Sequence, residues 1–292
     1  MNEKFQVPQA DRVVGNFDDF RLDLVSYAEN GVVKNKGGEI LTEPKQILEM
    51  LFHESAAEFY DDFEIKKSER DIEIIELAMK SAKDFARQYG RNEFIEIPLD
   101  HVHVFRDGAI EEFSKGRNSH GTGSTLLGEL LVERRDDLQT AITAFHELWH
   151  ILGSYSAVQV TTNGKLKWYR SGFSVLSRDG ERTMFKQVDE ALTGYMTKKF
   201  VEEIIRNRPD FQEVIKEHEV RNPEIDTTRL DELDDLLGFI DDLYENNKNK
   251  YANKDEIIDM FIKAQVTGNL LPVARLIENT FGKGTFRKLS EF

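Results

Sequence analysis

The residues of this sequence best suited to chemistry lie in one pentapeptide, His146-Glu147-Leu148-Trp149-His150. Histidines four apart share one face of a helix, so their imidazoles stand side by side and can grip a single metal ion. Glu147 directly follows the first histidine, which lets its carboxylate reach a water on that metal rather than the metal itself. This is the arrangement for metal-assisted hydrolysis, in which the ion polarises a carbonyl and acidifies a water while the carboxylate handles the proton. The competing structural reading makes His146 and His150 hydrogen-bonded core residues and Glu147 a solvated charge.

The chemistry requires a helix, and the surrounding residues supply one. In DDLQTAITAFHELWHILG, residues 136–153, apolar side chains recur at Leu138, Ala141, Ile142, Phe145, Leu148, Trp149 and Leu152. That spacing is helical and describes a largely buried element. Asp136 or Asp137 is the expected N-cap and Gly153 the expected stop. Two histidines need a third protein ligand, with a fourth position left for water. The spacing HExxHxxGxxH fails here, because Ser156 stands where a third histidine would be. The alternative is a carboxylate on a later helix. Residues 186–205 form such a helix, with an apolar side traced by Val188, Leu192, Tyr195, Met196, Phe200 and Ile204. Glu190 lies near its start among those residues, where a carboxylate facing the core needs a partner. A metal ion would be one partner; the other reading is that Glu190 favours the helix N-terminus.

His146-Glu147-Leu148-Trp149-His150 followed by Asp189-Glu190-Ala191-Leu192-Thr193 resembles the gluzincin metallopeptidases, the thermolysin-like group with HExxH and a downstream glutamate ligand. DEALT is similar to the NEALT-type segment of bacterial members. The layout match spans roughly residues 93–200 and is specific only at those two motifs. The resemblance implies one zinc ion per chain on His146, His150 and Glu190, with Glu147 as general base and acid in peptide-bond hydrolysis. It implies an α+β, zincin-like fold: a mixed, mostly antiparallel sheet packed on the active-site helix, then a mainly helical C-terminal lobe. One position departs from the pattern. Four residues beyond the glutamate ligand the group often carries a carboxylate that holds the first histidine's far nitrogen; here that residue is Gly194. The contact must come from elsewhere, with Asp189 and Thr193 as candidates, or be absent. Peptide hydrolysis also needs a donor to its oxyanion, for which Tyr195 and His218 are the downstream candidates.

Composition narrows the partners. The chain has 292 residues and a formal net charge of −15, which argues against a general binder of nucleic acid or anionic membrane and gives no positive identity for a substrate; a peptide or protein substrate is what the gluzincin resemblance implies. There is no cysteine, so zinc would rest on histidine and carboxylate alone. Neither a signal peptide nor a transmembrane run is visible, and a cytoplasmic address is expected. The segment that leads into the motif helix is expected to be a strand over residues 125–135. Its residues 127–131 would be the edge that pairs with an extended peptide.

The remaining elements are expected to frame this site. Residues 43–59 and 69–89 read as helices, the second with Ile72, Ile75, Leu77, Ala78, Ala82, Phe85 and Ala86 on its apolar side. His53 lies on the first of these, as a packing or surface residue. His101-Val102-His103-Val104-Phe105 reads as a strand with both histidines on one face; such a pair can bind metal, but a half-exposed strand face is the favoured reading. Residues 116–125 read as a glycine-rich loop that lacks the lysine of a phosphate cradle. Asn163-Gly164 and Asp179-Gly180 mark two hairpins in a region made basic by Lys165, Lys167, Arg170, Arg178 and Arg182. We expect one catalytic unit in two parts: residues 1–153 with the edge strand and motif helix, and residues 154–292 with the hairpins, ligand helix and helical lobe. Three functions compete: an active zinc peptidase, a zincin-fold protein that binds metal or peptide with little turnover, and a helical interaction protein.

Overall fold

The computed structural model describes residues 12–14, 63–110, 121–124, 129–160, 166–177, 182–221 and 230–291. The expected helix at 43–59 and His53 lie outside them. In chain order the first elements are β1 (Arg12–Val14), α1 (Glu69–Gln88), β2 (Val102–Phe105), β3 (Gly121–Ser124), β4 (Glu129–Glu133) and α2 (Asp137–Leu148). Next come β5 (Ser156–Val160), β6 (Leu166–Ser171), β7 (Ser174–Leu176), β8 (Thr183–Met184) and α3 (Lys186–Glu203). The chain then continues through α4 (Gln212–Arg221), α5 (Leu230–Glu245), α6 (Asp255–Thr267), α7 (Leu271–Phe281) and α8 (Thr285–Lys288). The fold is mixed α and β, mostly helical with small sheets.

Local chemistry sets the helix boundaries. Ser68 caps α1 reciprocally: its hydroxyl accepts the Asp71 N–H at 3.1 Å, and the Asp71 carboxylate accepts the Ser68 N–H at 2.6 Å. The buried face of α1 includes Ile74, Ile75, Ala78, Ala82, Phe85 and Ala86. Ile74, not Ile72, completes the stripe, since it lies four residues before Ala78. Asp136 caps α2 by accepting the Gln139 N–H at 2.9 Å. Gly268, at φ 74°, closes α6, and Pro272 sits in the first turn of α7.

Beside α2 lies a three-stranded sheet in the order β2-β4-β3, with β2 parallel and β3 antiparallel to β4. This corrects the expected edge. Residues 129–131 belong to the central strand, because Glu129–Glu133 is buried along its whole length and suits a position paired on both sides. Among the described residues the edges of this sheet are β2 and β3, the latter drawn from the segment expected to be a loop. Gly121 lets that edge pass close over α2: a Cβ there would lie 2.6 Å from Thr143 Cγ2 and 2.9 Å from Glu147 Cγ. The second sheet has the order β1-β5-β6-β7-β8. Both expected hairpins are antiparallel pairs, β5 with β6 and β7 with β8, though their Asn-Gly and Asp-Gly dipeptides lie outside the described residues. Between them is an unforeseen tight hairpin, in which Ser171 pairs with Ser174 around Gly172 at φ 52°.

Aromatic packing fixes the two helices that carry the expected ligands. Phe145, just before His146, stacks on Phe200 of α3 with centroids 4.3 Å apart and meets Phe85 of α1 edge-on at 6.0 Å. Each fully buried ring contributes on the order of 2–3 kcal/mol, so α2 and α3 are joined by packing before any metal is considered. The same hydrophobic core takes in Ile75, Phe145, Phe200, Ile240, Phe261 and Ile277 and so runs through both expected parts of the chain. No helix among the described residues is long and apolar enough to cross a membrane.

Candidate metal centre

The motif helix does not stay regular to its end. After Leu148 it widens into a π-type turn, Trp149–Gly153, in which the Ser154 N–H reaches the Trp149 carbonyl at 2.9 Å. Gly153 is required there because the Trp149 indole lies over it; a Cβ would fall 2.5 Å from the ring. His146 therefore stands on the α-helical turn and His150 on the wider one, with ring centroids 5.1 Å apart. Packing of α3 against α2 brings Glu190 to both: its Oε2 is 3.5 Å from His146 Nε2 and 3.5 Å from His150 Nε2. All three donor atoms lie within 4.8 Å of one another.

These residues fit a metal ion. Ligands about 2.0–2.1 Å from a tetrahedral ion stand about 3.3 Å apart, close to the separations here. Each imidazole's far nitrogen also has a partner. Thr197 donates its hydroxyl to the Thr193 carbonyl at 2.8 Å, so its oxygen is left to accept from His146 Nδ1, at the long separation of 3.5 Å. Asp189 Oδ2 faces His150 Nδ1 at 3.5 Å. Protons on both Nδ1 atoms leave both Nε2 lone pairs for a metal. The group expected to replace the missing carboxylate at Gly194 is thus divided. Asp189 serves the second histidine, and Thr197, which sequence reasoning missed, serves the first. The signal for Thr197 was present: residues 190, 193 and 197 share one face of a helix.

Charge is concentrated at this point. Burial alone would raise the pKa of Glu190, but His146 and His150 outweigh it and hold the carboxylate far below its usual range. Burial would lower the pKa of His150, but Asp189 and Glu190 outweigh that and hold it well above the ordinary histidine value. His150 thereby keeps its proton to higher pH than an ordinary histidine, and a cation at the triad would compete with that proton.

Glu147 is half-buried beneath Gly121 of β3, beside the triad on the same helix. The two expected oxyanion donors are placed elsewhere. His218 Nε2 bonds Asp136 Oδ2 at 2.8 Å, at the N-terminal end of α2. That lies about 15 Å along the axis from His146, at ~1.5 Å per residue. The Tyr195 phenol has Asp255, Asp259 and Glu203 as its charged neighbours, and burial raises its pKa. The second pair of histidines is divided between a turn and a strand. His101 ends a short turn, Leu99–His101, while His103 sits in β2 with Nδ1 3.0 Å from Glu64 Oε1. Among the described residues, His146, His150 and Glu190 are the group of three such side chains whose donor atoms converge. Arg170, expected on a basic hairpin face, turns inward instead. It donates to the Gly172 and Gly268 carbonyls, each at 2.7 Å.

Compared with known proteins, this chain matches no family model, no curated protein and no solved structure.

Proposed function

We propose that this protein is a zinc-dependent peptidase of zincin-like, gluzincin type, acting in the cytoplasm on a peptide or protein and not on nucleic acid or membrane. The single observation that carries the reading is the convergence of His146, His150 and Glu190, with each histidine's Nε2 3.5 Å from the glutamate and Glu147 adjacent. Two nitrogens and one carboxylate oxygen make the donor set of a catalytic zinc with one position open. When bound, zinc supplies a Lewis acid that polarises a carbonyl and acidifies a water. The chain's own residues do the rest. Glu147 takes the proton of the attacking water and returns it to the leaving amine, breaking the peptide bond. An extended substrate lies along β3, the strand whose Gly121 passes over Glu147, and pairs with it by main-chain hydrogen bonds.

A second reading, a metal- or peptide-binding protein with little turnover, is favoured by the positions of Tyr195 and His218, neither of which stands with the triad as a donor to an oxyanion.

The test is elemental analysis and a broad fluorogenic peptide library on wild type, Glu190→Ala and Glu147→Gln. The expected result is about one zinc per chain in wild type and Glu147→Gln and much less in Glu190→Ala. Cleavage should fall about 10²–10⁴-fold in Glu147→Gln. Equal zinc in all three removes Glu190 as ligand. Zinc without cleavage in wild type selects the second reading.

A further inference from the structure

Gln265 of α6 is fully buried, and its side chain is occupied at both ends. The Trp149 indole can only donate, and its Nε1–H reaches Gln265 Oε1 at 3.0 Å, which fixes which end of the amide is oxygen. The amide nitrogen then faces acceptors: Asp189 Oδ1 at 2.9 Å, the Asp189 carbonyl at 3.2 Å and Thr193 Oγ1 at 3.3 Å. The Thr193 oxygen is an acceptor here because its hydroxyl donates to the Asp189 carbonyl at 2.9 Å. Asp189 Oδ1 has one further donor, the Phe173 N–H at 2.8 Å, from the turn between β6 and β7. With Oδ1 held in this way, Oδ2 is the oxygen left facing His150 Nδ1.

Resting on the reading that the triad holds a metal, we propose that Gln265 is a positioning residue for that metal, acting through Asp189 to set the orientation and tautomer of His150. One amide joins three separate segments at the centre: the wide turn through Trp149, the start of α3 at Asp189 and Thr193, and the helix α6 that carries it. Glutamine is the side chain that suits this place. It offers an acceptor to an indole and donors to a carboxylate from one planar group. Glutamate would set a second carboxylate against Asp189, and methionine would fill the volume with no hydrogen bond at all.

The experiment is metal titration with zinc(II) in competition with a chelator, and with cobalt(II) followed by its visible absorption. The proteins are wild type, Gln265→Met, Gln265→Glu, Asp189→Asn and the double variant Asp189→Asn/Gln265→Met, each with its melting temperature in the metal-free state. The expected result is a Kd for metal raised about 10–100-fold in both Gln265 variants, together with an altered cobalt spectrum. The double variant should be no weaker than Asp189→Asn alone, because the two residues act through one contact. A purely structural glutamine would lower the melting temperature in Gln265→Met and leave Kd and spectrum unchanged in Gln265→Glu, which would overturn the proposal. Additive losses in the double variant would overturn it as well. If wild type takes up neither metal, the metal reading itself fails, and this inference with it. Uptake by wild type with equal affinity in both Gln265 variants defeats this inference alone.

Discussion

Glu190 sets the competition between proton and metal at His150. Its carboxylate is held far below the usual range by two imidazoles, and its charge in turn holds a proton on His150 above 6.5. A metal ion must displace that proton, so affinity should depend on pH with a definite sign. Below the folded pKa of His150, the apparent Kd for zinc should tighten about tenfold for each unit of rising pH. The metal-free protein runs the other way. A raised histidine contributes its full stability below 6.5 and loses it as pH climbs through the folded value. The gap between zinc-loaded and metal-free melting temperatures should therefore widen from mildly acidic to mildly basic pH. A gap independent of pH would mean that His150 is not displaced on binding. Thr197 makes a sharper case, because it touches no donor atom. Thr197→Val keeps the shape and removes the acceptor for His146 Nδ1, 3.5 Å away. Zinc affinity should fall about 10–100-fold, read by chelator competition, with stability changed by less than about 1 kcal/mol. Unchanged affinity would show that the long contact does not fix the His146 tautomer.

Elements were legible in sequence where a local signal marked them, apolar spacing for the helices and turn dipeptides for the hairpins. The motif helix, its Asp136 cap and the ligand helix could be read because buried stripes and caps are local signals. The order of strands could not, because it depends on which strand finds a partner on both sides. Leu130 and Leu131 look like any apolar strand, and only their pairing with both β2 and β3 makes them central. Gly121 looks like loop until α2 is beneath it. Gly172 is the same case: its turn sits against Asp189, so a Cβ would collide with Asp189 Oδ1 and with Gln265 Cγ. These two glycines separate edge from centre experimentally. Gly121→Ala pushes on Thr143 and Glu147, and should lower kcat/KM by at least about tenfold while zinc content stays at wild-type level. Gly172→Ala strains a turn at φ 52° and displaces Asp189. It should lower stability by about 1–3 kcal/mol and weaken zinc binding together. Zinc lost in Gly121→Ala, or retained at full affinity in Gly172→Ala, would contradict this division of roles.

Across the whole molecule, the ends of α2 have different duties. The C-terminal end carries His146 and His150, braced from far along the chain through Trp149 by Gln265, a contact no local pattern announces. The N-terminal end is held by charge: Arg70 Nε to Asp137 at 2.6 Å, Arg70 to Asp210 at 2.8 Å, and His218 to Asp136 at 2.8 Å. His218 thus joins α4 to the cap of the motif helix, a role its sequence neighbours could not disclose. Beside these contacts, Arg134 at the end of β4 bonds Asp71 at the start of α1, with Nε 2.9 Å from Oδ1, and so joins sheet to helix. Burial would raise the pKa of Asp71, but Arg134 and Ser68 outweigh it and lower it below 3.8. A carboxylate with a depressed folded pKa contributes stability above its unfolded value and loses it as pH falls. Breaking a buried pair costs about 3–5 kcal/mol; Arg134 is one-third exposed, so about 2 kcal/mol is expected for Asp71→Asn at neutral pH. Urea unfolding at a series of pH values checks this. The difference between wild type and Asp71→Asn should be constant above 3.8 and shrink towards zero below it. A difference that persists undiminished in acid would assign the effect to amide packing, and the junction of sheet and helix would then not depend on the Asp71 charge.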